Sequence, residues 1–232
     1  MHRMNRSVLA AMVGIALLAG CKKQDDGAAQ AAAEASAAQE AVEADAVAAE
    51  AGPEAPVVAP AVVAFDIEKI PVSDTPLGEW PYLALPAGYA LGHADELAGR
   101  TKDLARVPVW TGGQLLWVEG KVFSDSLRAA DGKTWSKFEL RKHMQQTIEA
   151  LGGVRLAERN FDGAVQEANS AALDDFRGEF GDMHDAYWHD NEADTYVIRR
   201  ADKAVWIVMQ ADNSDGGVMV VEGPLPAPPP AQ

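Results

Sequence analysis

Aromatic residues are absent from residues 22–64, and this absence limits where the chain can form a hydrophobic core. The segment consists mainly of Ala, Glu, Gln, Val and Pro, which bury too little apolar surface to offset the entropy lost on folding. Aromatic side chains and alternating apolar patterns begin at Phe65. We therefore expect a disordered tether over residues 21–63 and one folded domain over residues 64–223. The Pro-rich residues 224–232 are expected to form a disordered tail.

Residues 1–20 have the layout of a secretory signal peptide. Arg3 and Arg6 precede an uninterrupted apolar run over residues 8–18, and small residues follow that run. The run is too short for a stable membrane-spanning helix, which needs about 20 apolar residues. No later stretch reaches that length, so we expect no transmembrane helix in the mature chain.

The four residues Leu18-Ala19-Gly20-Cys21 resemble the lipobox of bacterial lipoproteins. The resemblance implies cleavage before Cys21 and attachment of lipid to that cysteine. Acyl chains anchor a protein to a membrane because each buried methylene contributes about 0.8 kcal/mol. In enterobacterial lipoproteins an aspartate after the cysteine retains the protein at the inner membrane, and this chain has Lys22 there. The resemblance therefore implies the outer membrane, with the domain in the periplasm. The inner membrane, the cell surface, an ordinary signal peptide and an N-terminal membrane helix stay open as alternatives.

The formal charge of −15 restricts the partners that the chain can bind. An acidic surface repels nucleic acid and anionic lipid head groups, so we expect no nucleic-acid partner. Cys21 is the single cysteine of the sequence, so no disulfide can form within one chain. Because lipidation would consume that thiol, we expect no cysteine nucleophile in the domain.

One well-defined helix is predicted over residues 136–151. Ser136 and Glu139 match a capping box at its start, and Gly152 follows its end. The apolar residues repeat at helical spacing: Leu140, Met144, Ile148 and Leu151. A second, weaker helix is predicted over residues 166–180, capped at Asn169 or Ser170.

The strand predictions come from short apolar or alternating runs bounded by turn residues. They cover residues 107–110, 114–123, 154–161, 195–200, 204–210 and 218–221. Gly120 is predicted to mark a bulge in the second of these strands. Antiparallel strands with one well-defined helix and one weaker helix on a face give an α+β domain.

Residues 70–89 carry a second resemblance. The runs Ile70-Pro71-Val72-Ser73 and Leu77 to Tyr89 resemble a module of proteobacterial envelope lipoproteins, which in some of them precedes an OmpA-like peptidoglycan-binding domain. The resemblance extends through the predicted 136–151 helix to the strand at Tyr196. It implies a role in the cell envelope without specifying any chemistry. No OmpA-like domain follows in this sequence, so peptidoglycan binding is not carried over.

The stretch from Asp182 to Asp194 holds the best candidate metal ligands. His184 and His189 stand among aspartates there, and imidazole nitrogen and carboxylate oxygen both suit divalent transition metals. The candidate metal site therefore consists of His184, Asp185 and His189. The two histidines are five positions apart, which places them on different faces of a helix or a strand. The alternative is a solvated acidic loop.

Motifs of known catalytic sites are missing from the sequence. It contains no G-x-S-x-G, H-E-x-x-H or S-x-x-K motif and no phosphate-binding glycine loop. We therefore expect no enzyme activity, no catalytic residue and no cofactor. The leading hypothesis is a non-enzymatic interaction or accessory module that binds an envelope protein. The alternatives are a ligand- or divalent-metal-binding lipoprotein and a hydrolase whose site is assembled from distant residues.

Overall fold

The structure, a computed structural model, describes residues 64–229. The predicted signal peptide, the predicted lipidation site Cys21 and the predicted tether at 21–63 lie outside the described residues. The last three residues of the predicted tail also lie outside them.

The described residues form one antiparallel sheet of seven strands. The strands are β1 (Tyr89–Leu91), β2 (Thr101–Trp110), β3 (Leu115–Ala129), β4 (Val154–Arg159), β5 (Glu192–Arg199), β6 (Lys203–Ala211) and β7 (Gly216–Pro224). Their order across the sheet is β1-β3-β7-β6-β5-β4, and β2 also pairs with β3. The helices are α1 (Lys137–Ala150), α2 (Gly163–Ala168) and α3 (Ser170–Glu179), with 3₁₀ turns at Ile67–Lys69, Ala94–Glu96, Gly181–Met183 and Asp185–Tyr187.

Both faces of the sheet are buried, as β6 illustrates. Trp206 and Val208 pack in one core cluster, whereas Ile207 and Met209, which alternate with them, pack in the other. Helix α1 covers the face of Ile207, which we call the α1 face, and α3 covers the opposite face, which we call the α3 face. The predicted α+β class is confirmed, with the two predicted helices on opposite faces rather than on one.

Helix α1 begins and ends as the sequence predicts. The hydroxyl of Ser136 accepts a hydrogen bond from the backbone N–H of Glu139 at 3.2 Å. The reciprocal bond of a full capping box is replaced, because the N–H of Ser136 donates to the Tyr89 hydroxyl at 3.0 Å. Leu140, Met144 and Ile148 are buried on the α1 face. The predicted second helix is divided at Asn169 into α2 and α3, and the Asn169 side chain makes no capping bond to α3.

The β2–β3 hairpin extends beyond the body of the sheet and crosses the α3 face. Strand β3 continues past its pairing with β7, and the hairpin turn at Gly112 meets the Leu156 carbonyl of β4. The Tyr187 hydroxyl donates a hydrogen bond to the carbonyl oxygen of Pro108, on β2 of this hairpin, at 2.6 Å. The predicted bulge at Gly120 is wrong: the irregularity lies in β2, between Lys102 and Ala105.

Gly120 instead permits a close approach between two strands. A Cβ at Gly120 would overlap the Glu222 carbonyl oxygen, and one at Gly223 would overlap the Glu119 carbonyl oxygen. The pairing of β3 with β7 therefore ends, just beyond Lys121 and Glu222, at a close approach where only glycine fits on either strand.

The C-terminal segment is ordered further than predicted. Strand β7 continues to Pro224, where Pro224 pairs with Lys203 of β6. Leu225 packs against the α3-face core. The first residues of the predicted 224–232 tail therefore belong to the folded domain.

None of the helices within residues 64–229 is both long enough and apolar enough to cross a membrane.

Candidate functional site

A groove of about 430 Å³ lies between α1 and the β4–β5 edge of the sheet. We call it the α1–β4 groove. It is lined by Lys137, Phe138, Arg141, Lys142, Gln145, Arg155, Glu158, Glu192 and Asp194. The lining residues of α1 lie on consecutive turns of that helix, so they face the sheet edge together.

Asp194 is the buried base of the groove. It lies on β5, two residues before Tyr196 of the α1-face core, with only 1% of its surface exposed. The Arg141 guanidinium donates two hydrogen bonds to its carboxylate, from Nε at 2.6 Å and from Nη2 at 2.9 Å. Arg155 of β4 approaches the same carboxylate at 3.7 Å. Two cations from separate elements therefore compensate one buried anion.

The hydrogen bonds from Arg141 also affect that residue's own ionisation. The hydrogen bond to Asp194 raises the pKa of Arg141 above its usual range, although burial acts in the opposite direction. The guanidinium is therefore a permanent charge with a fixed orientation, as expected of bidentate arginine–carboxylate pairs.

Two exposed carboxylates stand at the rim of the groove. Glu158 binds Arg155 at 2.6 Å, and its side chain is 60% exposed. Glu192 pairs with Lys137 and lies 3.6 Å from Arg141. The hydrogen bond from Lys137 lowers the pKa of Glu192. Surface pairs of this kind contribute at most about 1 kcal/mol, so another carboxylate can replace either one.

Phe138 is the most exposed large apolar side chain of the described residues, at 78%. It lies on the first turn of α1, beside the cations. The groove thus combines four cationic side chains, three carboxylates and one solvent-facing aromatic ring. On a chain with a formal charge of −15, a concave surface rich in cations is an exception to the overall charge.

The candidate metal ligands are not brought together. The His184 ring contacts its neighbour Asp185 at 2.8 Å, whereas the His189 ring contacts Gln166 of α2 at 3.2 Å. The described residues contain no group of three His, Cys, Asp or Glu side chains that could hold a metal ion. The structure therefore resembles the predicted alternative, an acidic loop on the surface, with Tyr187 buried beneath it.

A second charged cluster was missed because its members are far apart in the sequence. Asp125 of β3 is fully buried, and its carboxylate accepts hydrogen bonds from the backbone N–H of His93 at 2.9 Å and contacts the His93 ring at 2.7 Å. Arg100 lies 3.7 Å from the same carboxylate and 2.8 Å from Asp182. His93 is itself exposed, so its surroundings in the sequence do not indicate a contact with Asp125. The available signal was Asp125 itself, an aspartate between Phe123 and Leu127, the apolar residues two positions away on either side.

Comparison with protein-family models, with curated proteins and with solved structures found no match. The two charged clusters and the grooves beside them are therefore the evidence on which a function can be argued.

Proposed function

We propose that this chain is a lipid-anchored protein of the cell envelope, whose domain acts in the periplasm as a non-enzymatic interaction module. The anchor is supported by the Leu18-Ala19-Gly20-Cys21 box after a signal-peptide layout. The aromatic-free segment at 22–64 supports a spacer that holds the domain away from the lipid. The Lys residue after Cys21 favours the outer membrane.

The α1–β4 groove is the proposed binding site. The observation that carries this proposal is the exposed Phe138 beside the cations of a groove on an acidic protein. Aromatic side chains, phenylalanine among them, and arginine are enriched at the cores of protein interfaces. The partner that fits is an envelope protein presenting an acidic segment with a nearby apolar side chain.

The positions of Glu158 and Glu192 support this choice of partner. Each is an exposed carboxylate bound to a groove cation. A carboxylate of the partner can take the same position on Arg155 or Lys137, because exposed pairs exchange at little cost. The apolar side chain of the partner would cover Phe138 and so exclude water from the charged contacts.

The chemistry of the lining also favours binding over catalysis. Its polar residues are Lys, Arg, Gln, Asp and Glu, without Ser, Cys or His. The hydrogen bond from Lys137 lowers the pKa of Glu192, which favours a carboxylate rather than a proton donor at the rim.

The anchor is tested by Cys21→Ser in the native host. We expect wild-type protein to incorporate labelled palmitate and to fractionate with the outer membrane. The Cys21→Ser chain should incorporate none and should appear in the periplasmic fraction or remain unprocessed. Equal labelling of both chains would contradict lipidation at Cys21.

The groove is tested by in-cell crosslinking with mass spectrometry on the full chain. We expect a discrete envelope protein to be captured by wild type and lost in Lys142→Glu, which reverses a charge of the groove. Lys69→Glu is the matched control, since Lys69 is an exposed lysine of a distant 3₁₀ turn. Equal capture by all three chains would exclude the groove as the binding site.

A further inference from the structure

A second cavity, of about 450 Å³, lies between the start of β2 and the end of α3. We call it the β2–α3 cleft. It is lined by Gly99, Arg100, Lys102, Ser124, Glu179, Phe180, Gly181 and Asp182. The volume falls within the range of about 300–1,000 Å³ that is usual for small-molecule sites. The cleft shares no lining residue with the α1–β4 groove.

The cleft has a cationic wall and an anionic wall. Arg100 and Lys102 lie on the β2 side, and the carboxylates face them from the segment that ends α3. Arg100 pairs with Asp182 at 2.8 Å, and Lys102 pairs with Glu179 at 2.9 Å. The Lys102 and Glu179 side chains are 45% and 49% exposed, so that their pair contributes little to stability and can be opened by a ligand.

Ser124 adds a polar group that the fold leaves unused. The residue is 6% exposed, and its hydroxyl has no hydrogen-bond partner among the described residues. It lies on the α3 face of β3, next to Val122 and opposite Met219 of the α3-face core, and it lines the cleft. A buried hydroxyl without a partner is uncommon in folded proteins and calls for an explanation, of which a bound ligand is one.

Arg100 is held in place by contacts with Asp125 and His93, which do not line the cleft. Its Nε lies 3.7 Å from the buried Asp125 carboxylate, while its Nη1 pairs with Asp182. Its guanidinium also contacts the His93 ring. The guanidinium of Arg100 is therefore oriented before any ligand arrives, which reduces the entropy lost on binding.

We propose that the β2–α3 cleft binds a small zwitterion of the α-amino acid class. Arg100 and Lys102 receive its carboxylate, Glu179 and Asp182 receive its ammonium group, and the Ser124 hydroxyl bonds to a polar group of the ligand. A ligand of one charge would pair with one wall and leave the opposite wall without its partner. A zwitterion replaces both ion pairs with matching ones, so the two opposed walls select for it.

The test is isothermal titration calorimetry on the full-length protein purified in detergent. The probes are glycine, L-alanine, L-serine, L-lysine and L-glutamate. For each amino acid that binds, the matched controls are its Nα-acetyl derivative, which lacks the α-ammonium charge, and its α-amide, which lacks the α-carboxylate charge. We expect at least one saturable isotherm, with affinity at least tenfold weaker for both blocked derivatives.

Two variants test whether the amino acid binds in the cleft, and their melting curves test whether they remain folded. Lys102→Gln and Glu179→Gln change exposed side chains, and each should weaken binding at least tenfold while the circular dichroism melting curve stays unchanged. Glu119→Gln is the control, because Glu119 is an exposed carboxylate paired with Arg106 outside the cleft. No heat with any of the five amino acids overturns the proposal. Equal affinity for the N-acetyl derivative also overturns it, since that result describes a simple anion site.

Discussion

Two buried aspartates, Asp194 of β5 and Asp125 of β3, interrupt the same apolar face of the sheet. Both are almost inaccessible to solvent, and an arginine lies close to each of them. They differ in what else satisfies their oxygens. Asp125 accepts hydrogen bonds from two backbone N–H groups, those of His93 and Ser126, each at 2.9 Å. The hydrogen-bond partners of Asp194 are the side-chain nitrogens of Arg141.

Because of this difference, Asp125 fixes the conformation of a loop, whereas Asp194 fixes the position of a helix that lines a groove. The hydrogen bond from the backbone N–H of His93 to Asp125 fixes the course of the segment after β1. The Asp125 carboxylate already has its hydrogen-bond donors, so Arg100 only adds a further contact to it. The Asp194 carboxylate depends on helix α1 packing correctly against the sheet edge. Its charge is therefore part of the tertiary contact that forms the α1–β4 groove, and the predictions below use this contrast.

Asp194→Asn is expected to have the largest effect on stability. It leaves the partly buried Arg141 without its ionic partner, and breaking a buried pair in this way costs about 3 kcal/mol. Urea unfolding followed by tryptophan fluorescence measures the change. Gln145→Ala, at the exposed side of the same groove, is the control and should change stability by less than about 0.5 kcal/mol. A loss below about 1 kcal/mol for Asp194→Asn would show that the groove does not depend on this pair.

Asp125→Asn is expected to have a smaller effect, a loss of about 1–2 kcal/mol. The amide retains one oxygen acceptor for the backbone N–H groups and loses the charge-assisted contacts with His93 and Arg100. Hydrogen exchange should show faster exchange at residues 92–100 and unchanged exchange in α1. If Asp125→Asn instead destabilises the protein as much as Asp194→Asn, the distinction between the two aspartates fails.

Glu222 provides a carboxylate that is 23% exposed, with which the two buried ones can be compared. Burial raises its pKa, but hydrogen bonds from Lys203 at 2.8 Å and from the Tyr82 hydroxyl at 2.6 Å outweigh burial, so the pKa is lowered. A carboxyl with a lowered pKa stabilises the fold above its unfolded pKa, and this contribution is lost as the pH falls through the folded pKa. Wild-type protein should therefore lose stability as the pH falls below 4.5, the ordinary pKa of glutamate. Glu222→Gln should lose less, and the difference between the two chains should be below about 1 kcal/mol.

The hydrogen bond between Tyr82 and Glu222 also affects the ionisation of the Tyr82 phenol at alkaline pH. Burial and the contact with Glu222 raise the pKa of Tyr82 to about 12. Ultraviolet titration near 295 nm should show this phenol ionising at about pH 12, and Tyr82→Phe should remove that step. A phenol step near pH 10 that disappears in Tyr82→Phe would contradict the contact with Glu222.

Local patterns in the sequence were sufficient for the main elements of the fold. Ser136 and Glu139 marked the start of α1, and its apolar spacing marked the buried side. The faces of the sheet could not be predicted, because β6 is apolar at both alternating positions, from Ala204 to Met209. With no polar face, the pattern does not show which side a helix covers. This is why the two helices were expected on one face and lie on opposite ones.

The candidate site was less predictable because its residues meet only in the folded chain. Arg141, Arg155 and Asp194 come from a helix and two strands, and no local spacing relates them. His184 and His189 attracted notice through local composition, which identifies suitable residue types without showing that they converge. A buried aspartate such as Asp194 becomes recognisable as a site only when the cations around it are known.

The most direct test of the proposed function places a photo-crosslinking phenylalanine analogue at position 138 in the full chain, in living cells. The control carries the analogue at position 104, where Leu104 is similarly exposed, at 75%, on β2. The proposed function predicts one discrete adduct with an envelope protein at position 138, lost when Lys142→Glu is added and absent at position 104. Adducts of equal pattern at both positions, or an adduct at 138 unaffected by Lys142→Glu, would contradict binding at the α1–β4 groove.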